Sequence, residues 1–177
     1  MDLPVTIVDY NAQWREMFKQ ERARIMDAVG AHLIALEHIG STSVPGLDAK
    51  AIIDMMAGVI SLDIYRRCVD PLSALGYEYV PDYEDELPER RYFRRRVDGL
   101  ATHHLHMVVI NGPFWERHIL FRDYLRAHRE VARQYARLKR DLAAQYGTDR
   151  RAYNAAKTEF ITSIEQRAFA ERGDICE

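Results

Sequence analysis

Apolar and polar residues alternate along the chain in a way that predicts helices and strands by turns. From about Ala12 to Val29, Trp14, Met17, Phe18, Ile25 and Ala28 recur at helical spacing with charges opposite them, which predicts a helix. Asn11 is placed to cap it and Gly30 to end it. Leu33 to Ile39 reads as a strand. Ile52, Ile53, Met55 and Met56 read as a second strand, apolar on both faces except at Asp54. Ser61 caps a helix from about Leu62 to Leu75, where Pro71 predicts a break or kink and Gly76 the end. Tyr77 to Val80 is a third strand. Arg90 to Val97 and Thr102 to Ile110 make a hairpin about Asp98-Gly99, the strongest short-range turn signal in the chain. Helices follow from Pro113 to about Ala127 and from His128 to Tyr146, the second ended by Gly147. A last helix, capped by Thr148 or Asp149, reaches about Arg172. Val5 to Val8 forms a short extended arm.

The expected fold class is therefore α+β, one domain over residues 1–177. A mixed, mostly antiparallel sheet carries helices on one face, and a helical segment at about 112–172 packs on it. Composition adds little. The 177 residues hold 25 Lys plus Arg against 27 Asp plus Glu, so no global charge points to nucleic acid or to an acidic membrane. Two cysteines, Cys68 and Cys176, are too few for a disulfide framework or a zinc cluster, which makes a cytoplasmic location the expectation. No apolar run reaches the roughly 20 residues of a membrane span.

Chemistry concentrates between Glu37 and Met56. Gly40 turns the chain after the first strand, Ser41, Thr42 and Ser43 crowd three hydroxyls into the turn, and Pro45-Gly46 bends it again. Backbone N–H groups and short hydroxyls can surround phosphate oxygens there, although the same residues also make an ordinary polar turn. A carboxylate at Asp54, inside an apolar strand, needs a partner. The partner is a metal ion, a bound cation or a set of hydrogen-bond donors. Lys50 is a cation for Asp54 or for a bound phosphate, or a surface lysine at a strand start.

The run from His38 to Asp54 resembles the signature of the GrpB-like family within the nucleotidyltransferase superfamily. The superfamily pattern is Gly-Ser after one strand, then an Asp, apolar, Asp-or-Glu motif on the next. Gly40-Ser41 and Asp54 match, and Met56 stands where the second carboxylate belongs. The resemblance extends to His104-Leu105-His106, to Phe121–Arg126 and to Tyr153–Ile161, roughly residues 5–164 in all. It implies a small mixed sheet flanked by helices, a divalent metal (Mg, Mn or Zn) and a triphosphate aligned for in-line attack.

On a strand His104 and His106 face one way, and His103, Leu105 and Met107 the other. Asp54 with His106 is the expected metal set, and Asp54, His104 and His106 the catalytic group; strand histidines are also common as plain structure. Period two divides the basic run into Arg91, Phe93 and Arg95 on one side and Arg90, Tyr92, Arg94 and Arg96 on the other. Either side can face the site, or the run can be a solvated hairpin balanced by the acids before it. Phosphate or nucleotide contacts are expected from Gly40, Ser41, Thr42, Ser43, Lys50, Arg94 and Lys157. Arg122 and Tyr153 either reach the site with Lys157 or serve helix packing.

The function this implies is nucleotidyl transfer from a nucleotide, or binding of another phosphorylated small molecule, with no nucleic acid as partner. Two alternatives stand beside it. One is an acid–base or hydrolytic enzyme built on Asp and His with a single metal or none. The other is a non-catalytic binding module.

Overall fold

The computed structural model describes residues 4–174, and Cys176 lies outside them. Helix α1 (Gln13–Val29) leads to strand β1 (Ala35–Ile39), a turn at Ser41–Ser43 and strand β2 (Ile53–Val59). Helix α2 (Tyr65–Ala74), strand β3 (Tyr77–Tyr79), and the hairpin strands β4 (Arg90–Val97) and β5 (Leu100–Val109) follow. The chain then turns helical in α3 (Pro113–Ala127), α4 (Arg129–Tyr146), α5 (Arg150–Ala156) and α6 (Thr158–Asp174).

One five-stranded sheet has the order β1-β2-β5-β4-β3, and only β2 and β5 run parallel. That pair requires a long crossover, which α2, β3 and β4 supply. The hairpin turn falls at Asp98-Gly99, where φ is 51° and 79°, the left-handed pair that a two-residue turn of this hand needs. The arm expected at residues 5–8 is realised as a bridge, with Val8 and Ala49 exchanging two backbone bonds.

Register sorts the side chains. Ile53, Met55, Ala57, Leu105, Met107 and Phe93 face α1 and α2 and form the main core with Trp14, Ile25 and Val29. The other face carries Ile39, Met56 and Val108 under Phe114 and Trp115 of α3. Helices thus cover both faces rather than one, because β2 is apolar on both and each side must be buried. Gly58 makes the second contact close: a Cβ there would lie 2.9 Å from the Trp115 ring. The turn after β1 has its own core, Val44 and Leu47 packed on Leu125, Ala132, Tyr135 and Ile164 of the C-terminal helices.

Four local expectations change. In α1 the buried positions are Trp14, Glu21, Ile25 and Val29, while Met17 and Ala28 face outward. Glu21 accepts from Tyr77 Oη at 3.0 Å and lies 2.7 and 3.1 Å from the guanidinium groups of Arg24 and Arg95, so this acid holds an inward position by being paired. Pro71 does not end α2, which runs to Ala74 and closes at Gly76 with φ +90°. Ser61 caps a short 3-10 turn ahead of α2 rather than the helix itself. The last helix is two, α5 and α6, meeting at Lys157; Asp149 caps α5 by accepting from the Ala152 N–H at 2.9 Å. Among the described residues no helix is long and apolar enough to cross a membrane.

Candidate active site

Asp54 sits at the head of β2, with Ile39 beside it on β1 and His104 beside it on β5. The parallel register therefore brings together residues 50 positions apart. His104 Nδ1 lies 3.0 Å from Asp54 Oδ1, and His106 Nε2 lies 3.9 Å from the same oxygen. Burial by itself would raise the Asp54 carboxyl, but the imidazoles' hydrogen bonds and charges outweigh it and hold the group well below the usual carboxylate range. Burial also lowers His106, against the pull of Asp54. Gly40 approaches from the end of β1. With φ at +68°, its missing Cβ would fall 2.6 Å from Asp54 Oδ2. Only glycine fits that backbone and that gap.

Of the three hydroxyls in the turn, Ser41 alone is not donated to a backbone carbonyl. Thr42 donates to Ile52 O at 3.1 Å and meets His38 Nε2 at 3.0 Å, while Ser43 donates to Gly40 O at 2.6 Å. Ser41 Oγ accepts from Lys139 Nζ at 2.8 Å, and the same ammonium bonds Asp48 O. Lys139 escaped the sequence reading. Its signal is its place on α4: Ala132, Tyr135, Lys139 and Leu142 form the buried stripe, and a lysine there is out of character.

Two further lysines share one ring. Lys50 Nζ lies 4.6 Å and Lys157 Nζ 4.4 Å from the centroid of Tyr153, which is 1% exposed. Burial lowers all three ammonium groups; at Lys139 the charges of Lys157 and Lys50 add to it, and at Lys157 that of Lys50. Lys139 falls to about 7 and Lys157 to about 8, with Asp54 pulling both the other way. Lys50 is lowered by burial first, then by Arg150. The break between α5 and α6 is what delivers Lys157 to this cluster.

The basic strand shows its Arg90, Tyr92 and Arg94 side to the site, since Tyr92 pairs with His106 and Arg94 with His104. Arg94 is engaged by Glu78 at 2.9 Å. Arg122 does not reach the site. It ties α3 to β1 through Glu37 at 2.7 Å and His38 O at 3.1 Å, and Arg126 adds bonds to Ser43 O at 3.1 and 2.9 Å. Met56, at the position of the missing carboxylate, is fully buried under α3.

Asp54, His104 and His106 offer three ligand atoms within 4.8 Å of one another, one of them on a carboxylate held ionised. That donor set fits a divalent transition metal better than magnesium. A cation on Nε2 of His106 places that ring's proton on Nδ1, the nitrogen that faces Arg90 Nη1 at 3.4 Å. A cation held by that Nε2 would therefore cost the Arg90–His106 hydrogen bond.

An α+β sheet with Gly-Ser ahead of a carboxylate strand defines the class, and comparison with known proteins agrees. The family model described as GrpB protein matches residues 4–167, so the chain belongs to the GrpB family, whose fold is nucleotidyltransferase-like. The chain is 42% identical over 164 residues to UPF0157 protein YqkA of Bacillus subtilis, covering 93% of this chain and 47% of that protein. It is 32% identical to glutamate-rich protein GrpB of Alkalihalophilus pseudofirmus, covering 90% and 93%. The crystal structure of GrpB from Enterococcus faecalis superposes with a TM-score of 0.84 at 33% identity, over 94% of this chain and 99% of that one. A dephospho-CoA kinase of Mycobacterium bovis matches at 26% identity, over 94% of this chain and 46% of that protein.

Proposed function

We propose that this protein binds a nucleoside triphosphate, or a related phosphorylated small molecule, and transfers its nucleotidyl group to a small acceptor. The observation that carries the reading is the meeting of Lys50, Lys139 and Lys157 beside Ser41, next to Asp54. Burial lowers the proton affinity of all three, Lys139 is lowered further by Lys157 and Lys50, and Lys157 by Lys50. Such a cluster is unfavourable unless an anion joins it, and a polyphosphate carries the negative charge to do so. The match to a protein named dephospho-CoA kinase is in keeping with a phosphorylated ligand.

In this reading the lysines and Ser41 hold the phosphates, and Gly40 lets that turn lie against Asp54. The acceptor oxygen bonds to the α-phosphorus, the bond from that phosphorus to the pyrophosphate oxygen breaks, and the acceptor proton passes to solvent. Asp54, His104 and His106 would hold a divalent cation, which supplies Lewis-acid neutralisation of phosphate charge. Catalysis is otherwise positioning and electrostatics.

One observation favours a second reading on the same residues. The 3.0 Å contact of His104 Nδ1 with Asp54 leaves His104 Nε2 free, the arrangement of an oriented general base, so acid–base chemistry with a single cation or none is the rival. Calorimetric titration with ATP, GTP, CTP and UTP, with and without manganese or zinc, separates the two. Triphosphate binding that is lost in Lys139→Met supports transfer. Binding of metal alone, or of no triphosphate, overturns it and leaves the acid–base reading.

A further inference from the structure

Arg90 opens β4 on the sheet face that carries His104 and His106, and its surroundings set it apart from its neighbours. The other half-buried arginines of the strand each have a carboxylate within ion-pair distance: Arg91 has Glu84, Arg94 has Glu78 and Arg95 has Glu21. Arg90 has none among the described residues. Glu89, directly before it in the chain, is not within ion-pair distance, and Glu84 is engaged by Arg91 and by Tyr79. The Arg90 Nε is shielded from solvent and without a hydrogen-bond partner, as are those of Arg91 and Arg94. The guanidinium rests against Tyr92 at 4.9 Å and Tyr83 at 5.9 Å from the ring centroids. Among the described residues its polar contact on the site side is the 3.4 Å approach to His106 Nδ1, a long bond that a cation on His106 Nε2 would displace.

A half-buried guanidinium with no carboxylate partner, a shielded and unpaired Nε and aromatic rings beside it is suited to receive an oxyanion. Its position in the sheet says which oxyanion. Lys139 bonds Ser41 and Asp48 of the β1–β2 connection, which also carries Lys50, and Lys157 shares the Tyr153 ring with Lys50. Asp54 and the histidines stand on β2 and β5, and Arg90 lies on β4, beyond them. Polyphosphate on the lysines and an anion on Arg90 would thus flank Asp54 from opposite sides. We infer that Arg90 is the recognition residue for a carboxylate or phosphate carried by the acceptor, so that the acceptor is itself a small anionic molecule. The assignment to the acceptor rests on the transfer reading; the anion receptor does not.

The experiment is calorimetric titration of the full chain with inorganic phosphate and with malonate, before and after saturation with inorganic tripolyphosphate. Wild-type protein binds one of the two anions in the presence of tripolyphosphate. Arg90→Gln weakens that binding about tenfold or more and leaves tripolyphosphate affinity unchanged, whereas Arg90→Lys, which keeps the charge and loses the fork, weakens it less. Lys139→Met does the reverse. Equal binding of both anions by wild type and Arg90→Gln, or binding of neither by wild type, overturns the inference. Arg90-dependent anion binding without tripolyphosphate binding keeps the receptor and rejects transfer. If Arg90→Gln does not fold, the comparison of Arg90→Lys with wild type decides the matter in the same terms.

Discussion

Lys139→Met should make the free protein more stable while removing its affinity for polyphosphate. Lys139 is 3% exposed, and burial lowers it from 10.5 to about 7. At pH 6.5 the ammonium is protonated in both states, and keeping it so in the folded protein costs about 5 kcal/mol at most. Methionine is similar in length, favours the helix and carries no charge. Its own cost is the lost bonds to Ser41 Oγ and Asp48 O, about 1–3 kcal/mol. The net expectation is a gain of about 1–3 kcal/mol at pH 6.5, a rise of roughly 2–12 °C in Tm for a chain of this size. The direction with pH follows from proton counts. Between about 7 and 10.5 the unfolded chain keeps the Lys139 proton that the native state has released, so wild-type stability rises with pH while this contribution is absent from the variant. The advantage of Lys139→Met should therefore shrink by about 2–3 kcal/mol between pH 6.5 and 9. Urea denaturation of both proteins at the two pH values measures it. A variant destabilised at pH 6.5, with an advantage that does not change with pH, would refute the account of Lys139 as a strained cation held for a ligand.

Three further outcomes follow from the same geometry. Tripolyphosphate should bind more weakly as pH rises from 6.5 to 9, since anion binding requires Lys139 and Lys157 to be charged; calorimetry in buffers of different ionisation enthalpy should show proton uptake, and a flat profile contradicts this. Gly40→Ala should cost about 2 kcal/mol or more, because the φ of +68° is unfavourable for alanine and its methyl meets Asp54 Oδ2; a loss under about 0.5 kcal/mol in chemical denaturation would rule out that close approach. Arg122→Met should cost about 1–3 kcal/mol, chiefly by leaving the buried His38 carbonyl without its partner, with hydrogen exchange rising first where α3 meets β1; an unchanged exchange pattern would show that this tie does not dock the helix.

Much of this molecule can be read from local order alone. Turn chemistry marks the Asp98-Gly99 hairpin, and period two places Arg90, Tyr92 and Arg94 together, because both depend on residues close in the chain. The unbroken apolar character of β2, with Asp54 inside it, announces a strand buried on both faces and a carboxylate in need of a partner. What local order does not contain is pairing across the fold. Which side of β4 faces the site, and that His104 stands opposite Asp54, came only with the parallel register of β2 and β5. Thr42 and Ser43 read as cradle hydroxyls until the carbonyls of Ile52 and Gly40 are seen to accept from them. Lys139 is the clearest case: its sequence neighbourhood is an ordinary amphipathic helix. It becomes a site residue because α4 packs on the turn after β1 and brings it, 98 positions along, to Ser41. Secondary structure here follows from neighbours in sequence, whereas charge pairing and proton affinity follow from neighbours in space, and only the tertiary fold supplies those.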